Sequence, residues 1–244
     1  MVGKRSMIFD KTPIERRLSS IVTNKDSELS KSINRIGRKY PIGYNLGKEC
    51  RADDAIFVLQ HGWTVTYKIM RNGDRQILDL NVPGDVIGMR QSLFDGDDYK
   101  TEPITEIVAQ KIPAEVILRA LADSPDVAVQ VIWATMSDSA LAIERVVSMG
   151  RRDAPKRVAH FLLELGTRLE RVGLATKNGY HCPLSQTDLA DVLGMSAVHV
   201  NRVLRDLRER DMLTFKAGQV HFNDLASLTY FAEFEGSYMS SRPH

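Results

Sequence analysis

Apolar positions change their spacing along the 244 residues, and each change marks a different element. Ala55-Ile56-Phe57-Val58-Leu59 is an apolar run closed by His61-Gly62, after which Val65, Tyr67 and Ile69 alternate with polar neighbours. This is the period-two pattern of strands. Asn72-Gly73 marks a hairpin, because both residues tolerate positive φ. Ile77-Leu78-Asp79-Leu80 leads to a second turn at Pro83-Gly84-Asp85, and Ile107-Val108-Ala109 with Lys111-Ile112 supplies a later strand. Short strands at about ten-residue spacing predict a small antiparallel barrel or jelly roll, here over residues 37–123. Ahead of it, Thr12-Pro13-Ile14-Glu15 joins a capping box to a helix-starting proline, and Ile14, Leu18 and Ile21 follow at helical spacing. With Leu29, Ile33 and Ile36 they predict a short helical preface over residues 1–36.

Past Pro125 the period lengthens. Val129, Ile132, Met136, Ala140, Ile143 and Val147 step by three or four, with Trp133 and Leu141 beside them. By itself such a stripe is the core face of a helix or the seam of a helix pair. Gly150-Arg151-Arg152-Asp153 is expected to break this helix (residues 124–150) and to act as a hinge. Ala159, Leu162, Leu163, Leu165 and Leu169 continue on a further helix, and residues past Phe234 read as polar and frayed, with 237–244 as a tail.

The most informative stretch is Leu184 to Phe215. Ser185 and Asp188 form a capping box in its Asp variant, Leu189 and Leu193 share one face, and Gly194 stands where a helix would stop. Ser196 then caps a second helix carrying Val200, Val203, Leu204 and Leu207 at helical spacing. Its opposite side carries Ala197, Val198, Asn201, Arg202, Arg205 and Arg208. Small apolar groups suit thymine methyls, Asn suits adenine, and Arg suits guanine or phosphate. On a lone helix this would be a solvated basic face. Here it follows a capped partner and a glycine turn, and Met212-Leu213-Thr214-Phe215, Gly218 and Val220-His221-Phe222 predict a wing behind it. The combination is a DNA-binding helix-turn-helix.

Composition narrows the alternatives. An apolar fraction of 43%, a charged fraction of 26% and a net charge of +2 are ordinary for a globular chain. The basic residues are nevertheless concentrated after Gly150, in Arg151, Arg152, Lys156, Arg157, Arg202, Arg205, Arg208 and Arg210, as a phosphate-binding module would have them. No apolar run approaches the ~18 residues of a membrane span, and the N-terminus lacks the apolar core of a signal peptide, so a cytoplasmic protein without a membrane partner is expected. Cys50 and Cys182 lie far apart and form no metal-binding spacing. His61 completes a turn, Asp95, Asp97 and Asp98 read as a solvated loop, and no catalytic constellation is present. No enzyme activity and no cofactor are expected.

The run SQTDLADVLGMSAVHVNRVLRDLRERDML resembles the winged helix-turn-helix of the Crp/Fnr transcription regulators, of the type common in alphaproteobacteria. The order of strands and of the His-Gly, Asn-Gly-Asp and Pro-Gly-Asp turns resembles the β-roll sensor domain of the same family. The resemblance implies an α+β fold with an N-terminal cyclic-nucleotide-binding-like β-roll, a long dimerisation helix and a C-terminal winged helix-turn-helix over residues 151–236. It implies a homodimer, paired through Val129, Ile132, Met136, Ala140, Ile143 and Val147, on a roughly palindromic double-stranded DNA operator. Activation is more usual in the family than repression, with RNA polymerase as a partner. Base readout falls to Ala197, Val198, Asn201 and Arg202, and phosphate contacts to Ser185, Gln186, Thr187, Ser196, His199 and Arg205.

Two departures from the family pattern matter. Cyclic-nucleotide binders place a Glu after the glycine that follows the Pro-Gly-Asp turn, and an Arg-Ser pair about ten residues on. This chain has Met89 after Gly88, and Tyr99-Lys100-Thr101 where the pair would fall. Met cannot accept a ribose hydroxyl and Lys lacks the guanidinium fork, so cyclic nucleotide binding is not expected. The alternative, a regulator whose DNA binding requires this or another small-molecule effector, stays open. The four-Cys iron–sulfur cluster of some members cannot be built from two cysteines. On the recognition helix, Ala197 and Val198 replace an Arg and a Glu of the founding member, so a different operator is expected.

Overall fold

The computed structural model describes residues 27–90 and 99–239. The expected preface helix at Thr12–Ile21 and the Asp95, Asp97, Asp98 loop lie outside them. Strands β1 (Arg38–Tyr40), β7 (Ile107–Pro113), β2 (Ala55–His61) and β5 (Val86–Ile87) pair in that order, and β4 (Arg75–Asn81), β3 (Thr64–Ile69) and β6 (Lys100–Pro103) form a second sheet. All these pairings are antiparallel.

The continuous apolar run in β2 is explained by burial on both faces. Phe57 and Leu59 join Tyr40, Leu46, Cys50, Ile87 and Ile107, whereas Ile56 and Val58 pack against Leu29, Ile33, Ile112, Val116 and Ile117. The second cluster is roofed by α1 (Glu28–Ile33) and α3 (Ala114–Asp123). Ile36, expected on the first of these helices, lies beyond its Asn34 cap and is 92% exposed. A short helix the apolar pattern does not announce, α2 (Leu46–Ala52), is capped by the Asn45 side chain and buries Leu46 and Cys50. The turn after β2 needs Gly62: its φ is +82°, and a β-carbon there would sit 2.4 Å from the Glu106 carbonyl oxygen.

Helix α4 (Pro125–Arg151) starts at Ser124, whose hydroxyl accepts the Val127 N–H, and runs for 27 residues, about 40 Å at 1.5 Å per residue. It passes straight through Gly150, and the break falls at Arg152 and Asp153, the end of the Gly150-Arg151-Arg152-Asp153 stretch expected to break it. The reason lies downstream. Pro155 has no N–H to continue the helical ladder, and Asp153 instead caps α5 (Ala154–Arg171) by accepting from the Lys156 N–H at 2.9 Å.

The remaining elements are β8 (Ala175–Thr176), β9 (Gly179–His181), α6 (Gln186–Leu193), α7 (Ala197–Glu209), β10 (Leu213–Lys216), β11 (Gln219–Phe222) and α8 (Leu225–Phe231). The expected wing hairpin is β10–β11, and it is extended by β9 and β8 into one sheet. Leu162, Leu165, Leu169, Leu189, Val200, Leu207 and Val220 form a core that continues without interruption into Trp63, Val65, Ile77 and Leu80 of the β3–β4 region. At the same junction Arg168 is buried and donates to the Leu80 carbonyl at 2.7 Å and to Asp85 at 3.1 Å.

The chain past Phe234 does not fray as expected. Gly236–Met239 forms a 3₁₀ turn and Met239 is buried. The Tyr238 hydroxyl donates to Glu164 at 3.1 Å, and Arg171 donates to the Met239 carbonyl. Phe234 and Tyr238 both pack on the His160 ring, so a polar stretch is held by its aromatic residues. Residues 240–244 lie outside the described residues.

Candidate nucleic-acid interface

The local chemistry of Leu184–Phe215 produces the geometry expected of it. The Ser185 hydroxyl accepts the Asp188 N–H at 3.1 Å while the Asp188 carboxylate accepts the Ser185 N–H at 3.0 Å, closing the capping box at the start of α6. Gly194 takes φ 64°, ψ 43°, the left-handed conformation that ends the helix. Ser196 then caps α7 by accepting the His199 N–H at 3.2 Å. Two capped helix starts therefore stand close together in the chain. Ser185, Gln186, Thr187 and Ser196 are exposed there, on helix ends whose N–H groups and dipoles favour anions.

Helix α7 buries Val200, Val203, Leu204 and Leu207 against the core and exposes Val198, Arg202, Arg205, Arg208 and Glu209. Val198 is 79% exposed, a branched apolar side chain in the middle of a basic face. Asn201 and His199 are half-buried on its flanks. Ala197, expected on the outward face, is half-buried and packs on the core.

The stripe on α4 faces outward. Val129, Ile132, Met136, Ile143 and Val147 are exposed and Ala140 half-buried, while Leu141, on another face, is buried. The helix is thus not a core helix in this chain, and its apolar seam is uncovered along most of its length.

Sequence reasoning missed the groups that hold the helix-turn-helix in place. Arg157, at the start of α5, donates to the Leu193 carbonyl at 3.1 Å, to Met149 at 3.0 Å and to Arg152 at 3.1 Å. One guanidinium thereby ties the end of α4, the α4–α5 junction and the end of α6 together. Around it lies a small cavity lined by Glu144, Arg145, Ser148, His160 and Glu164 among others. Arg152 donates to Glu144 at 2.6 Å. Burial, and then the nearby Arg152 charge, push the His160 pKa down to about 4, so its ring is neutral at neutral pH. Burial raises the Glu164 carboxyl. A second missed group is Arg75 of β4, which donates to Asp188 at 2.5 Å and to Asp191 at 2.6 Å. Its partners lie more than a hundred residues away, beyond any local pattern.

At the positions where cyclic-nucleotide binders carry their ligand-holding residues, Met89 is half-buried against the Leu29–Ile33 cluster. Lys100 is exposed at the start of β6, and the buried Thr101 shares a hydroxyl hydrogen bond with Thr66 at 3.0 Å. Cys50 and Cys182 are fully buried, and burial pushes both thiols up to about 12, far from the thiolate character a redox sensor needs. Among the described residues, no helix is long and apolar enough to cross a membrane.

Comparison with known proteins agrees with this geometry. Residues 156–231 match the Crp-like helix-turn-helix domain. The chain is 29% identical over 168 residues to the transcriptional activatory protein AadR of Rhodopseudomonas palustris, covering 69% of each protein. It is 24% identical over 221 residues to the nitrogen fixation regulation protein FixK of Bradyrhizobium diazoefficiens, covering 88% of this chain and 91% of that one. The solved structure of FixK2 from Bradyrhizobium japonicum superposes with a TM-score of 0.65 at 26% identity, over 81% of this chain and 93% of the other. The likeness therefore extends from the helix-turn-helix into the β-roll and the long helix.

Proposed function

We propose that this chain, a DNA-binding transcription regulator of the Crp/Fnr family, works as a cytoplasmic homodimer that activates transcription from a roughly palindromic operator. The observation that carries this reading is the exposed face of α7, Val198, Arg202 and Arg205, standing beside two capped helix starts on a rigid core. A recognition helix enters the major groove with its early residues on base edges, and a two-fold pair reads half-sites about 34 Å apart. The uncovered seam on α4 supplies the surface for that pair. An activator also needs a surface for RNA polymerase, the partner this reading adds.

Within this reading residues 37–123 are the sensor, 124–150 the dimer helix and 151–236 the DNA module. Arg202 reads a base, with Asn201 beside it, and Val198 meets a thymine methyl. Ala197, half-buried, shapes the start of the helix and makes at most a small apolar contact. Ser185, Gln186, Thr187, Ser196, His199 and Arg205 hold phosphates and set the register.

A binding series over single-base operator variants at two salt concentrations tests these roles. Arg202→Ala should cost roughly 1–3 kcal/mol on the specific site and relax preference mainly at one base pair per half-site. Arg205→Ala should weaken all sequences alike and flatten the salt dependence. If Arg205→Ala changes the base preference while Arg202→Ala weakens every variant equally, the two roles are reversed.

A further inference from the structure

Helix α6 carries a charge that does not suit its proposed task. Asp188 lies one turn from the exposed Ser185-Gln186-Thr187 end, and Asp191 follows three residues on, on the same side of the helix. Asp188 suits the helix start, but Asp191 lies toward the C-terminal end, where the helix dipole disfavours an acid. Both carboxylates would also repel a phosphate approaching the start of the helix.

The compensation comes from outside the helix-turn-helix. Arg75, at the start of β4, reaches across with its guanidinium: Nη2 donates to Asp188 Oδ1 at 2.5 Å and Nε to Asp191 Oδ2 at 2.6 Å. The other Asp188 oxygen, Oδ2, is taken by the capping bonds from Ser185, so the carboxylate serves as cap and clamp at once. The Arg75 side chain is only 30% exposed, and its guanidinium sits 5.4 Å from the centre of the Tyr67 ring. The next residue completes the grip. The Gln76 amide donates to the Asp191 carbonyl at 2.6 Å and to Val192 at 3.4 Å, two of the carbonyls a helix leaves unpaired at its end. One end of one β-strand therefore holds α6 by its acidic side chains and by its last backbone groups.

We propose that Arg75 is a positioning residue for DNA binding: although it lies in the β-roll, it seats α6 and offsets one of the two negative charges beside that helix's phosphate-facing end. This rests on the DNA-binding reading above. Losing Arg75 leaves two carboxylates uncompensated next to the duplex while every DNA-facing side chain remains. The affinity of the recognition module thus depends on Arg75 of the β3–β4 hairpin, a residue outside the DNA-contacting surface.

The experiment uses the full chain and a mixed-sequence duplex long enough for two half-sites, titrated by fluorescence anisotropy at low and near-physiological salt. Arg75→Gln should weaken binding about 3- to 10-fold at low salt, with a smaller deficit at higher salt as the repulsion is screened. Adding Asp191→Asn to Arg75→Gln should return the affinity to within about 2-fold of wild type, a recovery that lost packing would not show. Arg75→Lys, which keeps the charge but not the fork, should recover most of the loss, and it keeps the test open if Arg75→Gln folds poorly. Arg75→Gln binding as tightly as wild type overturns the inference. So does a deficit that ignores both salt and Asp191→Asn, since Arg75 would then support packing alone. Wild-type protein that binds no duplex overturns the DNA-binding reading and this inference with it, whereas wild-type binding with an unchanged Arg75→Gln overturns this inference only.

Discussion

Replacing Ile143 with Asp should abolish dimerisation, and the size of the effect can be worked from the seam itself. Ile132, Met136 and Ile143 are 60, 56 and 62% exposed in one chain, and Val129 and Val147 are 47 and 44% exposed. Fully burying such a side chain contributes about 1.5–3 kcal/mol, so covering the half still exposed gives about 1 kcal/mol per residue. Ile143→Asp forfeits that and places an unpaired carboxylate in the seam, which costs at least about 2 kcal/mol more. Two-fold symmetry counts every change twice, giving a loss of roughly 6 kcal/mol, or about four decades in Kd. Sedimentation equilibrium from nanomolar to micromolar protein measures this directly. Wild type should sediment as a dimer without DNA, Ile143→Asp as a monomer, and the variant should lose tight operator binding while its circular dichroism stays unchanged. A wild-type monomer at micromolar concentration, or a dimeric Ile143→Asp, would refute the account of the seam.

Two further expectations concern the interior and the sensor. His160 holds a pKa of about 4 when folded against an ordinary 6.5, so the unfolded chain takes up the proton first as pH falls. The stability held by the neutral ring is complete above about pH 6.5 and lost toward pH 4, by at most about 3 kcal/mol. Thermal unfolding of wild type and His160→Phe across this window should diverge as pH falls, and a constant difference between them would contradict the assignment. Calorimetry with cyclic AMP and cyclic GMP should show no saturable binding at micromolar concentrations, and operator binding should need neither nucleotide. A micromolar dissociation constant for either would overturn the reading of Met89 and Lys100.

What was legible in the sequence was what short-range chemistry determines. Ser185 with Asp188, Gly194 and Ser196 set the helix-turn-helix through contacts within a few residues, and each takes the conformation its side chain dictates. The β-roll was legible because its strands alternate and its turns carry glycines at positive φ, as at Gly62 and Gly73. Helix α2 was not, since seven residues burying only Leu46, Gly47 and Cys50 carry no resolvable period. The two strands that widen the wing sheet are two and three residues long, too short to show alternation. The helix break was legible to within Gly150–Asp153; an exposed glycine is tolerated inside a long helix at modest cost, and Pro155 with Asp153 places the break at the end of that stretch. The tail misled because polar composition hides what Tyr238 and Met239 contact, partners some seventy residues back along the chain. Arg75 was invisible for the same reason, since nothing near it in sequence announces two aspartates more than a hundred positions away.

These long-range contacts also limit how a signal can travel. Trp63, Ile77 and Leu80 belong to the β3–β4 region yet are buried in the same core as the DNA module. Sliding the module off the hairpin would expose all three at about 1.5–3 kcal/mol each, and would strand the buried Arg168–Asp85 pair as well. Such a shift is far costlier than rotation about backbone that no core crosses. Arg152 and Asp153 are two residues between long helices, and Arg157 braces this junction through the Met149 and Arg152 carbonyls rather than through apolar packing. On the proposed reading the hairpin and residues 151–236 are therefore expected to move together, with the Arg152–Asp153 joint the cheaper place to flex. If the chain pairs as proposed, a change in the β-roll would reach α6 through Arg75 and Gln76, and would reach the spacing of the paired recognition helices by bending that joint.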